Sequence, residues 1–156
     1  MLFPIGIQSF EEIRNSGYVY VDKTAQIYQL TINGKYYFLS RPRRFGKSLL
    51  LSTMEAYFLG QKELFKGLAM EQLEKEWNIY PVLHLDLNGA RYDTEKSLLD
   101  KLSVALSTWE EQFAVKRISD EAGPRFERII RQLFAQTGQQ VVILIDEYDK
   151  PLLQVI

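Results

Sequence analysis

Two short stretches hold the residues that could do chemistry in this 156-residue chain: Arg41-Pro42-Arg43-Arg44-Phe45-Gly46-Lys47-Ser48, and Val141-Val142-Ile143-Leu144-Ile145-Asp146-Glu147. The first carries the second half of the phosphate-loop pattern G-x-x-x-x-G-K-[ST], with Arg41 where the first glycine usually stands. Gly46 has no Cβ, so an anion can approach its backbone. A helix starting there points unpaired N–H groups and a positive dipole end at that anion. In such a loop Lys47 places an ammonium on the β and γ phosphates, and Ser48 offers its hydroxyl to Mg²⁺. Arg43 and Arg44 add guanidinium forks that can grip phosphate oxygens in pairs. Arg41, Pro42, Arg43, Arg44, Phe45, Gly46, Lys47, Ser48 and Leu49 are therefore the candidate nucleotide-binding residues. In the second stretch Asp146 suits Mg²⁺ as a hard oxygen ligand. Glu147 suits a water about to attack a γ-phosphate, which makes Glu147 and Lys47 the candidate catalytic pair. ATP and Mg²⁺ are the implied ligands.

These residues need particular elements to bring them together. Lys35 to Ser40, rich in aromatic residues, predicts a strand before the loop. Leu49, Leu50, Leu51, Met54, Tyr57 and Phe58 predict a helix after it, stopped by Gly60. Five apolar residues, Val141 to Ile145, predict a strand buried on both sheet faces. In open α/β sheets, ligands sit at the carboxyl ends of the strands, where Asp146 and Glu147 fall. Between these motifs, residues 81–88 predict another strand, and Leu98, Leu99, Leu102, Ala105, Leu106, Trp109 and Phe113 a long amphipathic helix. Glu121 to Pro124 opens a further helix, through Phe126, Ile129, Ile130, Leu133 and Phe134 to Gly138. Strand, helix, strand, helices, strand is the order of parallel crossover connections. Upstream, Ser9 to Glu12 has capping-box spacing and starts a short helix reaching about Asn15, closed by Gly17. Tyr18 to Asp22 reads as extended, and Thr24 as the cap of a helix ending near Asn33-Gly34. Residues 61–80 read as an irregular and helical connection with a small apolar face of Leu64, Phe65 and Leu68.

Some residues admit two readings. Tyr18 or Tyr20 suits stacking on a base, with Asp22 or Lys23 touching the nucleotide; equally, both tyrosines suit ordinary packing. Asp149 suits either a metal-ligand role or a pairing with Lys150 or a loop arginine, and the pairing is expected. His84, the single histidine, sits in an apolar run and reads as a strand histidine with a packing or hydrogen-bonding role.

Four segments resemble the AAA-ATPase-like family, common in bacteria: Phe3-Pro4-Ile5-Gly6, Tyr20-Val21-Asp22-Lys23-Thr24, Phe38 through Ser48, and Ile145-Asp146-Glu147-Tyr148-Asp149-Lys150-Pro151. They span nearly the whole chain in order. The resemblance implies an ATPase with Lys47, Ser48, Asp146 and Glu147 in the roles above, and accepts arginine at the first loop-glycine position. It implies an α/β P-loop NTPase three-layer fold with a parallel sheet, the strand of Asp146 (the Walker B strand) lying between the other two. Members often carry a restriction-endonuclease-like nuclease domain after the ATPase part. The sequence stops at Ile156, before the sensor strand, lid and nuclease would come. The expectation is thus one partial domain over residues 1–156, truncated after the Walker B strand, either a fragment or a naturally short relative. Its partner is an attached or separate effector, and an uncovered sheet edge would invite self-association.

Composition narrows the classes. Net charge is −1 and the pI about 5.9, so no broad basic footprint supports direct nucleic-acid binding. Without cysteine there is no disulfide framework, thiolate metal site or cysteine nucleophile. No apolar run reaches membrane-spanning length, and Met1-Leu2-Phe3-Pro4 shows no signal-peptide pattern, so a cytoplasmic location is expected. The leading expectation is a Mg²⁺-dependent ATPase module that regulates or drives an effector. The alternatives are a nucleotide-dependent switch that does not hydrolyse, and a phosphotransferase.

Overall fold

The computed structural model describes residues 2–37, 39, 46–89 and 91–151. They gather into two compact units, 1–79 and 80–156.

The first unit is helical. Helix α1 (Phe10–Asn15) starts where the Ser9 side chain accepts the Glu12 N–H, as its spacing predicts. The chain then turns through Gly17 at φ +70°. Tyr18 forms a parallel bridge with Leu2. Helix α2 (Thr24–Asn33) begins differently from expectation, because Thr24 is its first helical residue and not its cap. The Thr24 hydroxyl donates to Asp22 Oδ1 (2.7 Å) and accepts the Met70 N–H (3.0 Å). Asp22 also accepts the N–H groups of Thr24 (2.9 Å) and Ala69 (2.7 Å). The pair thereby satisfies the first amides of helix α4 (Ala69–Leu73), groups a helix cannot satisfy internally. Helix α3 (Lys47–Phe58) and a 3₁₀ turn (Lys62–Phe65) complete the unit. Phe10, Ile27, Tyr57, Phe65, Leu68 and Met70 form its core. Trp77 lies against that core, its ring 5.2 Å from Phe65 and 5.9 Å from Tyr57. Ser52 fixes α3 to α1 by accepting the Phe10 N–H (2.9 Å).

The strand expected over Lys35–Ser40 is not seen at its described residues, Lys35 to Tyr37 and Leu39. The local reason is that the chain folds back on α2: the Tyr37 hydroxyl donates to the Leu30 carbonyl (2.6 Å), while Tyr36 is 89% exposed. Phe38 and Ser40 lie outside the described residues.

The second unit is α/β. Strand β1 (Val82–Asp86), helix α5 (Glu95–Gln112), helix α6 (Ala122–Thr137) and strand β2 (Val142–Asp146) follow in order. The strands pair in parallel with Val82 opposite Val142 and Asp86 opposite Asp146. Thr94 and Ser97 form a reciprocal capping box at the start of α5. Gly138, at φ +67°, ends α6, the left-handed position glycine occupies most cheaply. Leu83 and Leu85 of β1 pack with Leu106 and Trp109 of α5 and Ile129 and Leu133 of α6. Trp109 also lies 6.2 Å from the Phe126 ring. Parallel pairing is as predicted, and the sheet formed by the described residues has two strands.

Strand β2 differs from the run buried on both faces that its composition predicts. Ile143 and Ile145 are 40% and 43% exposed, whereas Leu144 is buried. Their register partners are Leu83 and Leu85, so all four share one sheet face. The α5–α6 core buries the β1 pair and leaves the β2 pair half open. Phe134, counted in the apolar stripe of α6, is likewise exposed.

Candidate functional site

The candidate residues fall in both units. In the first, Gly46 stands at φ +76° as the cap of α3, a left-handed conformation that suits glycine. Lys47, Ser48 and Leu49 are the first residues of that helix, where backbone N–H groups have no acceptor within the helix. The Leu49 side chain packs against the core of its unit, so its contribution to an anion is its amide. Its carbonyl accepts the hydroxyl of fully buried Thr53 (2.8 Å). A helix beginning with a glycine cap at this position is what the sequence predicts. Arg41, Pro42, Arg43, Arg44 and Phe45 lie outside the described residues.

In the second unit the chemistry gathers at the carboxyl ends of the two strands. Asp146 closes β2 and is 7% exposed. Its carbonyl accepts the Leu87 N–H (3.1 Å), and its Oδ1 accepts the N–H of Glu147 (2.9 Å). Glu147 adopts φ +57°, a conformation that costs a non-glycine residue on the order of 1 kcal/mol and is found preferentially at functional sites. The chain then turns, with the Lys150 N–H reaching the Glu147 carbonyl (3.0 Å). The Lys150 ammonium donates to the side-chain carbonyl of Asn88. Asn88 in turn gives its backbone N–H to Asp86 Oδ1 (2.8 Å). Nearby, the Tyr92 hydroxyl donates to the Leu87 carbonyl (2.8 Å); burial, and secondarily the charge of Asp86, push its pKa up.

The expected pairing of Asp149 with Lys150 is not what forms. Lys150 turns to the Asn88 amide, and Asp149 Oδ1 is buried without a hydrogen-bond partner among the described residues. The alternative loop arginines fall outside them. Asp86 and Asn88 were not singled out by sequence reasoning. The signal available was Leu85-Asp86, an apolar run ended by a carboxylate like Ile145-Asp146; the parallel register sets the two aspartates side by side.

Upstream, Asp22 is committed to the structure. Burial raises its pKa, but the hydrogen bonds from Thr24 and Ala69 outweigh that and hold it below the ordinary value. Tyr20 packs edge-on against Phe10 (5.1 Å), and its phenol hydrogen-bonds Thr53; burial raises its pKa. These contacts fit the packing reading of Tyr20.

All the candidate metal donors are oxygens, which suits Mg²⁺. Among the described residues no three histidine or acidic side chains gather into a cage. Magnesium characteristically needs only one or two carboxylates when phosphates and water complete its shell. Asp146, with the orphaned oxygen of Asp149 in the next turn, fits that kind of ion. No helix of the described residues is long and apolar enough to cross a membrane.

Comparison with known proteins places the chain in a family. The chain is 43% identical over 154 residues to a protein of Azotobacter chroococcum mcd 1 described as "Uncharacterized protein in vnfD 5'region". The match covers 96% of the chain and 29% of that relative, so the chain spans less than a third of the relative's length. No solved structure matches it. Residues 4–156 match the family described as Predicted AAA-ATPase, and the chain belongs to that AAA-ATPase-like family.

Proposed function

We propose that residues 1–156 form one ATPase domain, in which Gly46, Lys47, Ser48 and Leu49 bind the phosphates of ATP, and Asp146 and Glu147 serve Mg²⁺ and the attacking water. The observation that carries this reading is the turn at the end of β2. A buried aspartate is followed directly by a glutamate held at φ +57°, at the carboxyl edge of a parallel sheet. Backbone strain on an ionisable side chain at a ligand-binding edge is what a preorganised site produces. Family membership and the glycine-capped start of α3 support the same reading.

In this mechanism the α3 amides and the Lys47 ammonium hold the β and γ phosphates, and Arg41, Arg43 and Arg44 add charge around them. Ser48 and Asp146 would hold Mg²⁺, which would supply positive charge to offset the negative charge of the phosphates. Glu147 orients water in line with the γ-phosphorus and accepts its proton. The work done is conformational, on a nuclease-like domain or partner effector; the much greater length of the Azotobacter relative supports an attached one. The chain acts where ATP is abundant, in the cytoplasm.

The test uses the full-length protein. Glu147→Gln is expected to lower kcat about 10²- to 10⁴-fold, the range of a general base, while Mg²⁺-ATP still binds. Lys47→Ala is expected to lose binding. Unchanged turnover in Glu147→Gln defeats the assignment of the base. Tight binding without turnover in the wild type favours the switch.

A further inference from the structure

The hydrogen bonds around Glu147 close into a ring. Asp86 and Asp146 face each other in register at the ends of β1 and β2. From Asp86, the bonds run to the Asn88 N–H (2.8 Å), from the Asn88 side chain to the Lys150 ammonium, from the Lys150 N–H to the Glu147 carbonyl (3.0 Å), and from the Glu147 N–H to Asp146 Oδ1 (2.9 Å). We propose that Asn88 is a positioning residue, which closes this clasp and thereby keeps Glu147 in its strained turn.

Three observations carry the assignment. First, a positive φ at glutamate persists only where neighbouring contacts over-determine it, and both backbone polar groups of Glu147 are bonded within the ring. Second, Asn88 is the one member that comes from the β1 side and holds a side chain of the Glu147–Lys150 turn. Third, Lys150 gives its ammonium to a neutral amide although carboxylates of Asp86, Asp146 and Glu147 lie on the same edge. Among the described residues no ion pair joins Lys150 to any of them. The clasp thus occupies the cation without neutralising the acids. An aliphatic residue at 88 would release the ammonium, and with it one end of the turn.

The effect on turnover rests on the ATPase reading; the clasp itself does not. In full-length protein, Asn88→Leu removes the acceptor at similar size, and Asn88→Asp restores one. Two quantities are measured: steady-state ATP hydrolysis, and amide hydrogen exchange of residues 147–150 without nucleotide. Asn88→Leu is expected to lower kcat about tenfold with KM for ATP within about twofold, because ground-state binding is untouched. The Lys150 amide is expected to exchange about tenfold faster as the turn opens. Asn88→Asp is expected to return both toward wild type. Unchanged exchange in Asn88→Leu overturns the clasp, and faster exchange with unchanged kcat overturns the positioning role. If the wild type hydrolyses no ATP, the ATPase reading fails by itself, and the exchange comparison still decides whether Asn88 holds the Glu147 turn. Should Asn88→Leu not fold, Lys150→Met breaks the same bond from its other end and is read by the same two measurements.

Discussion

Gly46 and Glu147 both sit in left-handed backbone, and for opposite reasons. Gly46 does so at almost no cost, since it lacks a Cβ; Glu147 does so against a steric preference. No described atom lies within 4 Å of where a Cβ at Gly46 would point, so Gly46→Ala meets strain and not a clash. We expect that substitution to cost about 1 kcal/mol in urea unfolding, an αL penalty. Its loss of ATP affinity should exceed what that destabilisation explains, because a methyl group then stands where phosphate approaches the backbone. Affinity that falls no further than stability would remove Gly46 from the site. Gly46, Lys47, Ser48, Asp146 and Glu147 were singled out from the sequence because their types and spacing suit the proposed chemistry. Asp86 and Asn88 were not, because their role depends on the register between two strands far apart in sequence. The bonds of Asp22 were hidden for a related reason: only the fold brings the α4 amide of Ala69 to its carboxylate.

At the scale of elements, α5 and α6 were legible from their apolar period, but what joins them was not. Arg125, 1% exposed, lies in the first turn of α6 and turns all three nitrogens of its fork onto α5. It donates to both Glu110 oxygens (2.9 and 2.7 Å) and to Ser103 and Ser107 (2.9 Å each). Any one of the three arginines of α6 reads as solvated in sequence, since nothing local announces a partner for Arg125. Glu110→Gln is expected to destabilise the protein by about 3 kcal/mol, because it leaves a buried guanidinium without its counter-charge. Replacing both residues by apolar ones of similar size should cost less. The Arg125 hydrogen bonds hold the Glu110 pKa below its ordinary 4.5. A depressed folded-state pKa means that this contribution is present above about pH 4.5 and is lost as pH falls through the folded value. Asp22 and Glu74, also lowered, act with the same sign in the first unit. Urea midpoints measured downward from pH 6 should therefore fall less steeply in Glu110→Gln than in the wild type. The missing strand at Lys35–Tyr37 shows the complementary limit of local reading: aromatic β propensity was present, but a tyrosine hydroxyl found its acceptor on α2.

For the whole molecule, the parallel pairing of β1 and β2 was predictable from the alternation of patterns, and the 4–156 family match agrees with a resemblance spread along the chain. If one nucleotide engages residues of both units, binding must stabilise both by mass action. At 100 times the dissociation constant that is about 2.7 kcal/mol. Mg²⁺-ATP should accordingly raise the thermal midpoint at reporters in 1–79 and 80–156 alike, and in neither for Lys47→Ala; a rise confined to one unit would assign the nucleotide to that unit alone. The reporters are already built in. The chain has two tryptophans, Trp77 packed on the first core and Trp109 on the second. Each unit thus carries its own fluorophore, set among aromatic neighbours that make its emission sensitive to unfolding. Trp109→Phe leaves tryptophan emission from residues 1–79 only, and Trp77→Phe leaves it from residues 80–156 only. Two spectra then give two melting curves from one unlabelled polypeptide, and whether they superimpose tells whether its halves lose their structure as one body.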